Sequence, residues 1–158
     1  MNTKRLIFYN WNYEILEFPV ISKSKFTKDF SWGFYCTTIK KQAENFASKF
    51  NTPIVNVYEI KNTNSLNVKE FNDYCDEWLD FVVNCRSGAT HEYDVVIGPI
   101  ADDTIYDYID AYSHKQMNKQ KFFELMKSKY SANQISIHTI KALNYISFIE
   151  SYALHKNQ

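Results

Sequence analysis

The sequence predicts an α+β fold with a largely antiparallel sheet. Segments with the two-residue alternation of strands and segments with the apolar spacing of helices are both present. They do not alternate strictly along the chain, which argues against a parallel sheet built from repeated strand–helix units. No internal repeat or low-complexity segment interrupts them. The 158 residues are most simply one domain, 1–158.

The N-terminal part predicts one buried strand followed by irregular chain. Leu6-Ile7-Phe8-Tyr9 is a short apolar run, and the polar residues at 10–12 after it indicate a loop. Residues 13–21 are apolar without a period and contain Pro19, so we expect an irregular or edge segment. Residues 22–25 form a basic loop.

A strand, a helix and a second strand are predicted next. Residues 33–36 read as a strand, and Thr38 is placed to cap a helix over 39–50. Asn51-Thr52-Pro53 breaks that helix, and the alternation over 54–60 predicts a strand. The later predicted elements are a short strand at 66–68, a buried helix at 73–86, a strand at 94–97 ended by Gly98-Pro99, helices at 104–112 and 119–129, a strand at 134–139, a helical turn at 140–143, and a strand or frayed helix at 146–152.

Composition excludes some classes of function. Lys and Arg together number 18 and so do Asp and Glu, so no global charge attracts nucleic acid or an anionic membrane. Three cysteines without C-x-x-C spacing argue against a disulfide framework and a zinc site, and no histidine has metal-ligand spacing. No apolar run is long enough to span a bilayer, and no signal peptide is evident, so we expect a soluble, cytoplasmic protein.

The stretch from Lys28 to Thr38 is the least ordinary part of the chain. It contains Asp29, Gly33, several hydroxyl side chains and four aromatic side chains, where a core strand would carry aliphatic residues. We interpret it as a ligand platform.

This stretch carries a family resemblance. Three features in chain order resemble the layout of ADP-ribosyltransferase folds. They are a first strand with a polar end, a second strand with Gly33-x-Tyr35 that follows an aromatic residue, and a late strand that begins with a polar residue. Phe30 to Tyr35 looks like the second motif of the branch that includes diphtheria toxin and poly(ADP-ribose) polymerases. That branch implies a split, mostly antiparallel sheet with flanking helices.

The whole chain more closely resembles a bacterial family known as a domain of unknown function, usually described as ADP-ribosyltransferase-like. The resemblance rests on pieces that are specific in combination. They are Asp29-Phe30, Gly33 to Thr37, Gln42-Ala43, Glu77 to Phe81, Asn84 to Arg86, Tyr93-Asp94, Gly98 to Asp103, Gln134 to Ser136, Thr139 and Ala142-Leu143.

The resemblance implies NAD as substrate. It assigns catalytic positions to Asn10, Tyr35 and Gln134, with Tyr35 stacking on nicotinamide. The implied NAD-binding residues are Tyr9, Trp11, Asp29, Gly33, Phe34, Thr37, Arg86, Asp102 and Asp103. Such families are often encoded beside a small partner in toxin–antitoxin fashion, which implies a small antitoxin-like protein as partner and a protein or nucleic acid as target.

Two of these positions depart from the family pattern. Asn10-Trp11 stands where His-Gly is usual, and Gln134 stands where better-known transferases have a catalytic Glu. Cleavage of the nicotinamide–ribose bond places positive charge on the sugar, which a glutamine stabilises only as a dipole. Asp102 and Asp103 are candidates to help.

Structural interpretations stay open beside these assignments. Asp102 and Asp103 suit the first turn of a helix because of its dipole, and Arg86 suits a helix end paired with Asp94 or Glu92. At the level of function, a non-catalytic nucleotide- or partner-binding module and an NAD glycohydrolase remain alternatives. The loops 22–28 and 88–91 would select the target, without a readable code.

Overall fold

The chain is described by a computed structural model, which covers residues 5–23, 28–101, 103–126 and 133–155; for Asp103 it describes the backbone alone. Within these residues the fold is α+β with two sheets and five α-helices. The predicted fold class is therefore confirmed. Asp102 and the loop residues 24–27 lie outside the described residues, as do 127–129 of the fourth predicted helix.

The first sheet has three antiparallel strands. They are β1 (Leu6–Asn12), β3 (Ile54–Ile60) and β7 (Ile146–Ala153), in the order β1-β3-β7. The second sheet has four strands in the order β2-β6-β5-β4. They are β2 (Phe34–Cys36), β4 (Val68–Glu70), β5 (Val95–Pro99) and β6 (Asn133–Ile137).

All pairings in the second sheet are antiparallel except that of β4 with β5. The two sheets meet where Tyr9 and Thr37 exchange backbone hydrogen bonds. This junction brings the middle of β1 against the end of β2.

The helices are α1 (Lys40–Ala47), α2 (Asp76–Arg86), α3 (Asp103–Ser113), α4 (Lys119–Met126) and α5 (Ile140–Leu143). A core of large side chains around Trp78 and Phe122 packs α2, α3 and α4 on one face of the second sheet. Residues around Phe8, Phe34 and Tyr58 fill the space between the sheets, and a smaller cluster lies under α1. Phe34 and Tyr35 belong to different clusters, because successive residues of a strand point to opposite faces.

Several local boundaries differ from prediction. The expected loop at 10–12 was wrong, because β1 continues through Asn12 and pairs with β3 over its full length. The Thr38 cap was also wrong: the Thr37 hydroxyl accepts from the Ile39 N–H, whereas Thr38 donates to Asn133. Short-range capping patterns do not reveal such a distant partner.

Candidate functional site

A cleft of about 470 Å³ lies where β1, β2, α1 and β6 meet, within the size range of small-molecule sites. The residues lining it are Trp11, Lys28, Asp29, Tyr35, Phe46, Lys49, Phe50, Arg86, Ile100 and Gln134. Five of them were named from the sequence as candidate site residues, namely Trp11, Asp29, Tyr35, Arg86 and Gln134. We refer to this space as the cleft.

Tyr35 and Gln134 share the cleft because of strand geometry. Tyr35 pairs with Ser136 across β2 and β6. Gln134 lies two residues from Ser136 on the same strand, and residues two apart in a strand project from the same face. The sheet therefore presents both side chains to one side.

The Tyr35 ring is held rigidly from its far end. Its hydroxyl donates to the carbonyl of Ser31 and accepts from the N–H of Phe30 at 3.0 Å. Burial raises the pKa of this phenol, so it stays protonated throughout the physiological range. The ammonium of Lys28 lies 5.0 Å from the ring centroid and covers part of the ring face.

Asp29 is the centre of a polar cluster on the cleft wall. One carboxylate oxygen accepts from Nε of Arg86 at 2.8 Å and also from Nη2 of Arg86. The other accepts from the backbone N–H of Ala101 at 3.0 Å and from Nε2 of Gln134 at 2.9 Å. The expectation that Arg86 pairs with Asp94 or Glu92 was wrong. The segment before β2 brings Asp29 to the end of α2, where Arg86 binds it.

Arg86 has a second contact in the same region. Its guanidinium carbon lies 4.2 Å from the ring centroid of Tyr106 on α3. A planar guanidinium stacks well on an aromatic face while its edge binds a carboxylate. Arg86 thus joins α2, α3 and the cleft wall.

Asn10 is buried and does not line the cleft. Its Nδ2 donates to the carbonyl of Tyr35 at 3.3 Å, and its Oδ1 accepts from Asn56 at 3.3 Å. Asn56 was missed from the sequence. The sequence signal that could have identified Asn56 is its position as a polar residue on the core-facing side of the otherwise apolar strand β3.

The other predicted residues lie around the cleft without lining it. Gly33 packs against strand β6: a Cβ at this position would stand 2.8 Å from the carbonyl oxygen of Ile137 and from Nδ1 of His138. Phe34 is in the core, Tyr9 packs beside α1, and Thr37 is fully buried at the sheet junction. Asp103 begins α3, and Asp102 lies outside the described residues.

The opposite wall of the cleft comes from α1 and β1. Trp11 packs on Phe46 with ring centroids 4.8 Å apart, and Phe50 continues this aromatic wall. Lys49, exposed in the turn after α1, was missed as a cleft residue because in the sequence it resembles any solvated lysine near a helix end. Its role becomes visible only once α1 is packed against β1.

Positive charge predominates among the cleft residues. Lys28, Lys49 and Arg86 carry positive charges, and Asp29 carries the one negative charge among the lining side chains that the structure describes. Aromatic walls combined with lysine and arginine suit a ligand that has both a planar ring and phosphates.

Two histidines hold the loop from Lys28 to Gly33 in place. His91 Nε2 lies 2.8 Å from the carbonyl of Phe30, and His138 Nδ1 lies 2.7 Å from the carbonyl of Trp32. Since a carbonyl only accepts, each of these nitrogens must carry a proton. Desolvation lowers the pKa of His91, and it lowers the pKa of His138 to about 4.

Among residues 5–23, 28–101, 103–126 and 133–155, every helix is too short or too polar to span a membrane. The same residues contain no group of three or more His, Cys, Asp or Glu side chains arranged to hold a metal ion.

Comparison of the chain with curated proteins gave no match, and comparison with solved structures gave none either. A family match extends over residues 6–148, from the first residue of β1 into β7, and so includes every residue that lines the cleft. The chain belongs to the family described as Protein of unknown function (DUF3990).

Proposed function

We propose that the cleft binds NAD and that the protein transfers ADP-ribose from it to a protein or nucleic-acid acceptor. The observation that carries the proposal is the placement of Tyr35 and Gln134 on one face of two paired strands, inside a cleft with aromatic and cationic walls. The aromatic side chains suit the two ring systems of NAD, and the cations suit its pyrophosphate.

In this proposal each side chain has a separate task. Tyr35 stacks on nicotinamide, and Lys28 moves from the ring face toward the pyrophosphate because nicotinamide in NAD is itself cationic. Lys49 faces the same phosphates from the turn after α1. The bond between nicotinamide and ribose C1′ breaks, its electron pair leaves with nicotinamide, and the acceptor nucleophile bonds to C1′ and releases a proton.

We also propose a cellular role, which follows from the family resemblance. We place the protein in the bacterial cytoplasm as the toxic member of a two-gene system, with a small antitoxin-like protein as partner. The family match over residues 6–148 supports the resemblance along the whole chain, and the residues that line the cleft support the proposed binding of NAD.

A charge reversal at Lys49 tests ligand binding without disturbing the core. We expect Lys49→Glu to weaken NAD binding about tenfold, which corresponds to about 1.4 kcal/mol, because a carboxylate replaces a cation beside the phosphates. Isothermal titration calorimetry at low salt measures the effect. Lys41→Glu is the matched control, since Lys41 is an exposed lysine on α1, eight residues before Lys49, and does not line the cleft.

Equal NAD affinity in both lysine variants and the wild type would contradict the placement of NAD in this cleft. For the reaction, nicotinamide release and labelling of acceptors are measured with labelled NAD and bacterial extract. Labelled protein or nucleic acid identifies transfer, whereas free ADP-ribose without an acceptor identifies a glycohydrolase.

One observation favours a non-catalytic nucleotide-binding module as the second candidate. Asp29 already accepts hydrogen bonds on both oxygens, and Gln134 is uncharged. NAD binding without nicotinamide release in the presence of extract would support this alternative.

A further inference from the structure

The amide of Gln134 lies between two groups that only accept hydrogen bonds. Its Nε2 donates to Asp29 at 2.9 Å and to the backbone carbonyl of Pro99 at 3.3 Å. A carboxylate oxygen and a carbonyl oxygen cannot donate, so the amide nitrogen must face them. The orientation of the side chain is therefore determined by its partners.

The carbonyl oxygen of Gln134 is left for the cleft. No donor among the described residues reaches this oxygen, and the one buried side-chain atom without a partner among them is Oε1 of Gln42. Oε1 of Gln134 is therefore accessible, and the side chain lines the cleft. It presents an acceptor to whatever binds there.

Asp29 is itself held from three directions. Arg86 binds it from the end of α2, the N–H of Ala101 from the chain after β5, and Gln134 from the start of β6. These donors occupy both oxygens of a carboxylate that is only 6% exposed. Asp29 is thus poorly placed to contact a ligand and well placed to orient Gln134.

We propose that Asp29 is a positioning residue that holds the Gln134 carbonyl toward the cleft as an acceptor for a ligand hydroxyl or amide N–H. For the identity of that donor, a ribose hydroxyl of NAD, the inference rests on the proposed function. In this chain the negative charge beside residue 134 is carried by Asp29.

The pair has a consequence for substitution. A glutamate at position 134 would place its carboxylate against that of Asp29 and against the Pro99 carbonyl. Like charges at this distance favour the protonated form, so the new carboxyl would retain its proton to higher pH. The other titratable groups described around this pair are Arg86, Lys28, Lys49, Tyr35 and the buried thiol of Cys85 on α2, which interacts electrostatically with Asp29. Arg86 moderates the conflict while already bound to Asp29.

Thermal unfolding of purified full-length variants tests this pairing. We expect Gln134→Glu to lower Tm by about 5 °C or more at pH 7.5 relative to wild type. The difference should shrink at pH 5, where a protonated carboxyl donates to Asp29 as the amide does. Gln134→Met controls for the lost hydrogen bonds, and its Tm deficit should be the same at both pH values.

The exchanged pair provides the rescue. Asp29→Asn combined with Gln134→Glu restores one carboxylate facing one amide, so the double variant should have a higher Tm at pH 7.5 than either single variant. It should also bind NAD more tightly than either. A Gln134→Glu deficit that does not change with pH, or a double variant less stable than both single variants, would overturn the pairing.

Binding of NAD is measured on the same proteins to separate the two proposals. If the stability pattern appears and wild type does not bind NAD, the pairing stands and the proposed function fails. If wild type binds NAD and the stability pattern is absent, the positioning role of Asp29 fails alone.

Discussion

At the scale of single residues, the histidines show how a side chain without a catalytic pattern can support a site. His91 and His138 each bind a carbonyl of the Lys28–Gly33 loop, and their rings contact each other with centroids 4.4 Å apart. Burial favours the neutral imidazole of both. The loop that carries Asp29 is therefore held by groups that acid would charge.

This arrangement predicts a loss of stability in mild acid. The pKa of His138 is about 4 in the folded protein and about 6.5 in the unfolded chain, so the unfolded chain takes up the proton first. The contribution of His138 is complete above about pH 6.5 and is lost as the pH falls toward 4, amounting to at most about 3 kcal/mol.

Urea denaturation between pH 4.5 and 7 measures that contribution as a change in the free energy of unfolding. His138→Gln should be less stable than wild type at pH 7 and should vary less with pH. His114→Gln serves as control, because His114 is exposed after α3 and does not contact the loop. The idea fails if wild type and the His138 variant lose stability in parallel.

At the scale of elements, the close approach of Gly33 to strand β6 is decisive. The resemblance named Gly33 as an NAD-binding residue, whereas in the structure its backbone passes directly against Ile137 and His138. A side chain at this position would push the start of β2 away from β6. Since Tyr35 lies two residues further on, its ring would shift as well.

We predict that Gly33→Ala lowers the free energy of unfolding by about 1–3 kcal/mol and weakens NAD binding. Gly88→Ala is a control that destabilises the fold for a different reason. Gly88 has φ +103° and no atom within 4 Å of a Cβ, so its substitution strains the backbone without a clash. Chemical denaturation and calorimetry on both variants should show that both lose stability while Gly33→Ala alone loses affinity. Unchanged NAD affinity in Gly33→Ala would show that the contact between Gly33 and β6 does not position the cleft.

At the scale of the whole molecule, a pair of asparagines connects the two sheets. Asn56 on β3 donates to Asn10 on β1, and Asn10 donates to the carbonyl of Tyr35 on β2. Asn56 also holds the segment after β1 through Glu14 and Leu16. Asn10, which the resemblance assigned to catalysis, is in this structure a buried amide that links the two sheets.

Asn10→Ala should lower the free energy of unfolding by about 1–3 kcal/mol, since it removes buried hydrogen bonds between the sheets. Asn12→Ala on the same strand is the matched control and should lose less than half as much, because Asn12 is only partly buried and binds its own neighbour. Urea titration measures both values. Equal losses in the two variants would contradict the linking role of Asn10.

The sequence by itself determined the fold class and most strands and helices. Each of these elements depends on the spacing of apolar residues within its own short segment. Its resemblance to a family also selected Trp11, Asp29, Tyr35, Arg86 and Gln134, which the structure brings to one cleft.

Only the tertiary structure decided how these residues are used. The partner of Arg86 is 57 positions away and that of Gln134 is 105 positions away, so no local pattern reveals that Asp29 binds both. The direction of the Gln134 amide and the burial of Asn10 likewise depend on acceptors supplied by other strands. A hydrogen bond needs a partner within about 3 Å, and for these side chains long-range strand and loop packing supplies that partner.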